Sequence, residues 1–350
     1  MQKNPVVNVF WNYADRRLRA LWRIFLQAFV WFNAVSVLTI PIAAAVVFAA
    51  VAQGRLNMQD LAGSGKALVE LMGQPGPLFV LQSVYFLTAL ATVWLAGRFL
   101  DRRPFADFGF HFSRRWWIDF AFGLFLGALL MACVFLAELA AGWVEVTGFA
   151  VSTISGLGFP LAVWIPIVMF LFAGISEELI ARGYQIKNYS EGMNSDRFGP
   201  RPAILAAAVL SSIFFGFLHA ANPNISLVSV LNLMAAGIFL AAGYILTGEL
   251  AVSIGIHITW NVFQGNVFGF QVSGMKPAAA QLLAVRQGGP DLLTGGAFGP
   301  EGGLIGLGAM LLGCALIVLW VRITRGRVSL ARSLAESPVR DHPGQPNNVI

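Results

Sequence analysis

The sequence predicts an all-α polytopic membrane protein with eight transmembrane helices. Composition is the first ground. Of 350 residues, 57% are hydrophobic and only 11% charged, and the mean hydropathy is +0.71. A soluble globular domain carries about 25% charged residues. The second ground is the recurrence of apolar runs close to the ~20 residues that cross a bilayer as a helix. The third is how lysine and arginine are distributed between those runs.

The apolar runs are residues 24–52, 77–96, 117–142, 159–180, 202–220, 227–246, 251–270 and 304–321. Lipid offers no hydrogen bonds to a backbone, so each run must satisfy its own as a helix. The first run follows Arg16, Arg17, Arg19 and Arg23, as a secretory signal would, but its twenty-nine residues exceed the ~7–15 of a signal core. It is therefore read as a retained span. With the N terminus taken as cytoplasmic, nineteen of the 23 Lys and Arg residues fall in inner segments. Only Arg55, Lys66, Lys276 and Arg286 fall outside. An odd number of spans would destroy this partition, so both termini are expected in the cytoplasm. The net charge of +6 belongs to that asymmetry and is no sign of a nucleic-acid partner; the bilayer is the expected partner.

Between the spans, residues 98–115 form a short basic inner loop, with Trp116 and Trp117 as an interfacial anchor at the next helix entrance. The segment 276–300 is rich in glycine and reads as a mobile outer loop. Residues 326–350 read as a disordered cytoplasmic tail. Gly123 and Gly127 fit close helix packing. Cys133 and Cys314 sit in apolar runs with no CxxC partner, and read as buried packing residues.

An ionisable group deep in a membrane helix costs roughly 3 kcal/mol, so each one asks for a reason. Asp119, Glu138 and Glu249 lie near span ends and are expected to reach the headgroups. Glu177 and Glu178 differ, because they follow sixteen residues, 161–176, that carry no charge. Helical neighbours point about 100° apart, so the two cannot serve one site identically. Glu178 and Arg182 stand at i,i+4, where an ion pair can form. That leaves Glu177 without a local partner. Of four histidines, His111 and His342 fall in polar segments, whereas His219 and His257 fall in apolar ones. Phe215 and His219 are i,i+4, as are His257 and Asn261, so each pair shares a face. Asn222-Pro223-Asn224 then marks a polar turn.

EELIAR (residues 177–182), FGFLH (215–219) and HITWN (257–261) occur in this order. They resemble the EExxxR, FxxxH and HxxxN motifs of the CAAX-protease and bacteriocin-processing (CPBP, or Abi) intramembrane endopeptidases. The Ras-converting CAAX prenyl endopeptidase belongs to that family. The resemblance covers residues 98–270. Residues 1–97, with two additional helices, and the last helix, within 301–325, lie outside it.

The resemblance implies proteolysis within the membrane, in an intramembrane cavity open to the cytoplasm. The residue chemistry is compatible. Glu177 would act as general base towards a water, and His219 would share that water. His257 and Asn261 would donate to the oxyanion of the tetrahedral intermediate. Glu178, Arg182 and Phe215 would support them. No cofactor is favoured; the alternative is a zinc ion held by Glu177, His219 and His257, a His₂Glu set, although no HExxH is present. Expected substrates are peptides or membrane-anchored proteins, with a bacterial inner membrane as the setting; the alternatives are a non-catalytic membrane scaffold or bacteriocin-immunity protein and, behind it, a proton-coupled transporter. One geometric demand follows. His219 lies seventeen residues after Pro202, about 26 Å along a helix, while Glu177 and His257 are read near the inner side. The fifth helix must then start below the membrane or tilt.

Overall fold

The computed structural model describes residues 5–13, 15–57, 66–276 and 279–338. His342 and the rest of the expected tail beyond residue 338 lie outside these. Eight principal helices form the body: α1 (Ala20–Ala52), α2 (Pro75–Ala96), α3 (Arg114–Ala140), α4 (Trp164–Glu178), α5 (Pro200–Leu218), α6 (Leu227–Thr247), α7 (Ala251–Val262) and α8 (Leu304–Arg325). Among the described residues, seven helical stretches are long and apolar enough to cross a membrane. Outward faces carry large apolar side chains, such as Phe25, Phe29 and Phe48 on α1 or Leu311 and Leu312 on α8, as a lipid-facing surface requires.

The exception is α7. It continues only through a π-helical turn, Phe263–Val267, and stops short of the expected residue 270. Every residue from Ala251 to His257 is buried, so this helix is enclosed by protein and has no need to match the lipid thickness. Its tightest neighbour is α3. A Cβ on Gly123 would lie 2.4 Å from the Val252 carbonyl oxygen, and one on Gly127 2.5 Å from that of Ile256. The expected close packing at Gly123 and Gly127 is therefore against α7, and Gly255 reciprocates, 2.5 Å from the Phe120 oxygen.

The two ends of the bundle differ. At one end, Arg17 and Arg23 before and within α1 meet Asp101 and Glu191, and Arg103 also meets Glu191. Arg325 at the end of α8 pairs with Asp119 at 2.7 Å, and Lys187 donates to the Ser333 carbonyl at 2.6 Å. This is the arginine-rich end. The other end carries an antiparallel pair, β1 (Val144–Ser152) and β2 (Ala280–Gln287), with Val144 opposite Gln287 and a bulge between Val146 and Gly148. This is the sheet end.

Several expectations are corrected. The described part of residues 276–300 is not a loose loop: it holds β2, the short helix Asp291–Thr294 and the 3₁₀ turn Gly296–Phe298, and a second such turn starts at Pro300. Main-chain pairing with β1, invisible to local sequence, organises it. The start of the tail is also packed, with Leu334 and Ala335 buried in the 3₁₀ turn Arg332–Ala335. Asp119 and Glu138 do not reach for headgroups. Both are buried; Asp119 pairs with Arg325 and accepts from Trp320, and Glu138 accepts from Gln287. Cys133 is exposed rather than buried, and both cysteines are free.

Candidate active site

The helix that bears the glutamates does not end where its apolar run ends. Beyond Glu178 it continues as a π-helical turn, Leu179–Ile186, and then as Lys187–Met193. Glu177 therefore lies near the middle of a 35-residue stretch, Phe159–Met193. This removes the depth conflict between Glu177 and His219. The fifth helix starts at Pro200, and it is Glu177 that lies deeper than the end of its apolar run implied. Gly174, one turn earlier, lets α4 approach α7: a Cβ there would fall 2.7 Å from Ile258 Cγ1. Gly183 does the same for the Phe108 carbonyl, 2.9 Å from its would-be Cβ. π turns inserted in α-helices are frequent at functional sites.

The close approach of α4 and α7 sets the charged cluster. Arg182 Nη1 donates to Glu178 Oε1 at 2.9 Å, as the i,i+4 spacing predicts. The same oxygen lies 2.8 Å from His257 Nδ1. Both Glu178 and Arg182 are fully buried. A carboxylate can only accept, so Nδ1 of His257 carries the proton and Nε2 points elsewhere. Nε2 lies 3.8 Å from Glu177 Oε2. Arg182 also donates to the Gly237 carbonyl of α6 at 3.2 Å, and its guanidinium sits 4.3 Å above the Phe215 ring, a cation–π contact.

Phe215 joins the three motifs. Its ring centroid is 4.8 Å from that of His219 and 6.2 Å from that of His257, the latter edge-on. His219 caps α5, with Nδ1 2.8 Å from the Phe215 carbonyl oxygen, and so donates there. Its Nε2 is then the nitrogen left to act. Glu177, His219, His257 and Asn261 all line one cavity of about 360 Å³, with Met169, Leu240 and Trp260 among its apolar walls. The side chain of Glu177 is 23% exposed, against 9% for His257 and none for Glu178. Of the two glutamates, Glu177 is the one within reach of a ligand.

Other residues in this cavity escaped the sequence reading. Ser273 and Glu301 line it, as do Gln82 and Tyr85 of α2, beside Asn222 of the expected polar turn. Glu301 accepts from the Ser273 amide at 2.5 Å and hydroxyl at 2.7 Å. Burial pushes its carboxyl above the usual range, and the two Ser273 hydrogen bonds oppose that. No local motif marks Glu301, because its contact with the site crosses from a loop that lies outside the resembling segment. The expected turn at residues 222–224 is present. Asn222 donates to the Ser273 carbonyl at 3.0 Å and Asn224 to that of Gly274 at 3.3 Å.

The zinc alternative asks that Glu177, His219 and His257 gather as donors. Among the described residues, no group of three His, Cys, Asp or Glu side chains is placed to hold a metal. The arrangement of these described residues does not fit a three-donor zinc site.

Over 213 residues the chain is 25% identical to the protein YyaK of Bacillus subtilis (strain 168), covering 60% of this chain and 67% of that one. No solved structure matches. Residues 159–263 match the family described as type II CAAX prenyl endopeptidase Rce1-like. That stretch contains Glu177, Glu178, Arg182, Phe215, His219, His257 and Asn261 together; over it the chain is similar to the Rce1-like CAAX proteases, and its long apolar helices make it an integral membrane protein.

Proposed function

We propose that the protein is a metal-free intramembrane endopeptidase in which Glu177 activates the attacking water. The observation that carries this reading is the cavity shared by Glu177, His219, His257 and Asn261 inside an otherwise apolar bundle. A water between Glu177 and the scissile carbonyl gives its proton to the Glu177 carboxylate as its oxygen adds to the carbonyl carbon. His219 Nε2 holds that water. The resulting oxyanion accepts from the Asn261 side-chain amide and from Nε2 of protonated His257. Glu177 then passes its proton to the leaving amine as the C–N bond breaks.

Glu178 does not enter these steps. It holds the His257 Nδ1 proton and neutralises Arg182, which orients the imidazole as a carboxylate orients the histidine in other hydrolytic sites. In the membrane the chain has eight spans, α7 being the shortest, with both termini cytoplasmic. The substrate is a peptide segment of a membrane-associated protein.

The test is cleavage of a peptide library by purified protein in nanodiscs, comparing wild type, Glu177→Ala and His219→Ala, each with and without a strong chelator. Cleavage lost in both variants and retained with chelator supports the reading. Loss with chelator and recovery with zinc would replace it with a metalloprotease.

A further inference from the structure

We propose that the cavity receives its peptide from the non-cytoplasmic side of the membrane, so that its substrates are translocated segments of membrane-anchored or exported proteins. This rests on the endopeptidase reading above. It departs from the expectation of a cavity open to the cytoplasm, which cannot hold together with cytoplasmic termini.

The reason lies in which part of each helix faces the cavity. From α2 come Leu78, Gln82 and Tyr85, within the first half of Pro75–Ala96. From α5 come Phe215 and Leu218, at its last turn, followed by the cap His219. The loops contribute Asn222, Ser273, Lys276 and Glu301. All of these belong to the sheet end. Arg17, Arg103, Asp119, Lys187 and Arg325, which mark the arginine-rich end, are absent from the lining.

The other approach is plugged. Between Glu177 and the arginine-rich end, all eight residues of the π turn Leu179–Ile186 are buried. Arg182 is tied there to Glu178 and to the Gly237 carbonyl, and the Ala181 carbonyl accepts from Ser211 at 2.5 Å. A peptide entering from that end would have to break these bonds and expose a buried ion pair.

Charge then assigns the two ends to the two sides of the membrane. Among the described residues, seventeen of 21 Lys and Arg residues fall at the arginine-rich end by position in the chain. Removing Arg182, which is buried in its ion pair, still leaves the excess overwhelming. Arginine and lysine near helix ends favour the cytoplasmic face. The sheet end, and with it the cavity mouth, therefore faces away from the cytoplasm. Cytoplasmic C-terminal tails, prenylated ones included, are on the wrong side for this site.

The test is labelling of single cysteines in a Cys133→Ala, Cys314→Ala background by a membrane-impermeant maleimide. Lys276→Cys sits at the cavity mouth, Thr147→Cys on β1 at the same end, and Arg327→Cys at the opposite end; all three positions are exposed. In sealed right-side-out spheroplasts, the cysteines at 276 and 147 should label fully and that at 327 not at all. Inside-out vesicles should reverse the pattern. Labelling of 147 and 276 only from inside-out vesicles, or equally from both sides, overturns the proposal. A second readout uses the wild-type protein with quenched-fluorescent peptides added outside. Cleavage by spheroplasts and not by inside-out vesicles is expected; the reverse overturns the proposal. Outside labelling with cleavage in neither preparation would sink the endopeptidase reading instead, since labelling needs no activity.

Discussion

His257 is bound through Nδ1 to Glu178 at 2.8 Å, on the same carboxylate oxygen that Arg182 reaches at 2.9 Å. Two donors on one fully buried oxygen make Glu178 the anchor of the site. Removing one partner of a buried ion pair costs about 3–5 kcal/mol, because the other charge is left uncompensated. Glu178→Leu and Arg182→Met should each lower stability by about that much, read as thermal unfolding in detergent. The double variant should lose less than the sum of the two, since neither charge is then stranded. Additive losses would show that the pair is not coupled.

Asn261 makes a different contribution. It lines the cavity one helical turn after His257. If it donates to the oxyanion, Asn261→Ala should lower kcat by roughly 10²–10³ and leave KM near the wild-type value. A change confined to KM would assign Asn261 to ground-state binding.

Packing at Gly255 should matter to the site without touching it. The three atoms nearest a Cβ there are all backbone of α3: Phe120 O at 2.5 Å, Leu124 N at 2.7 Å and Gly123 C at 2.9 Å. Backbone cannot swing aside, so Gly255→Ala must move α7 and carry His257 with it. The expected cost is about 1–3 kcal/mol of overpacking, with reduced cleavage in the protein that remains folded. An unchanged melting temperature would contradict this close approach.

Glu301 gives a dependence on pH. Its carboxyl is pushed above the ordinary value of 4.5 by burial, against the pull of the Ser273 hydrogen bonds and of nearby His219 and His257. A carboxyl raised on folding holds its proton more tightly in the native state. Its contribution to stability is complete below the unfolded-state value and is lost as pH rises through the raised one. The melting temperature of wild type minus that of Glu301→Gln should therefore fall as pH rises from that of the free carboxyl upward. A difference that grows with pH would mean the carboxyl is held ionised instead.

Local sequence carried much of this protein, because membrane helices and i,i+4 pairs are local physics. The apolar runs located all eight principal helices, and the Glu178–Arg182 and Phe215–His219 pairs form as their spacing requires. Spacing also put His257 and Asn261 on one cavity wall. Only the tertiary structure decided the rest. It continued α4 past its apolar run, since Leu179–Ile186 is enclosed by protein and has no need of lipid-like residues. It brought Glu178 to His257, seventy-nine residues apart, through a glycine contact that hydropathy does not register. It ordered residues 280–287 by pairing them with 144–152 and delivered Glu301 to the cavity. Each of these depends on contacts between distant segments, whose partners are set by how the helices pack.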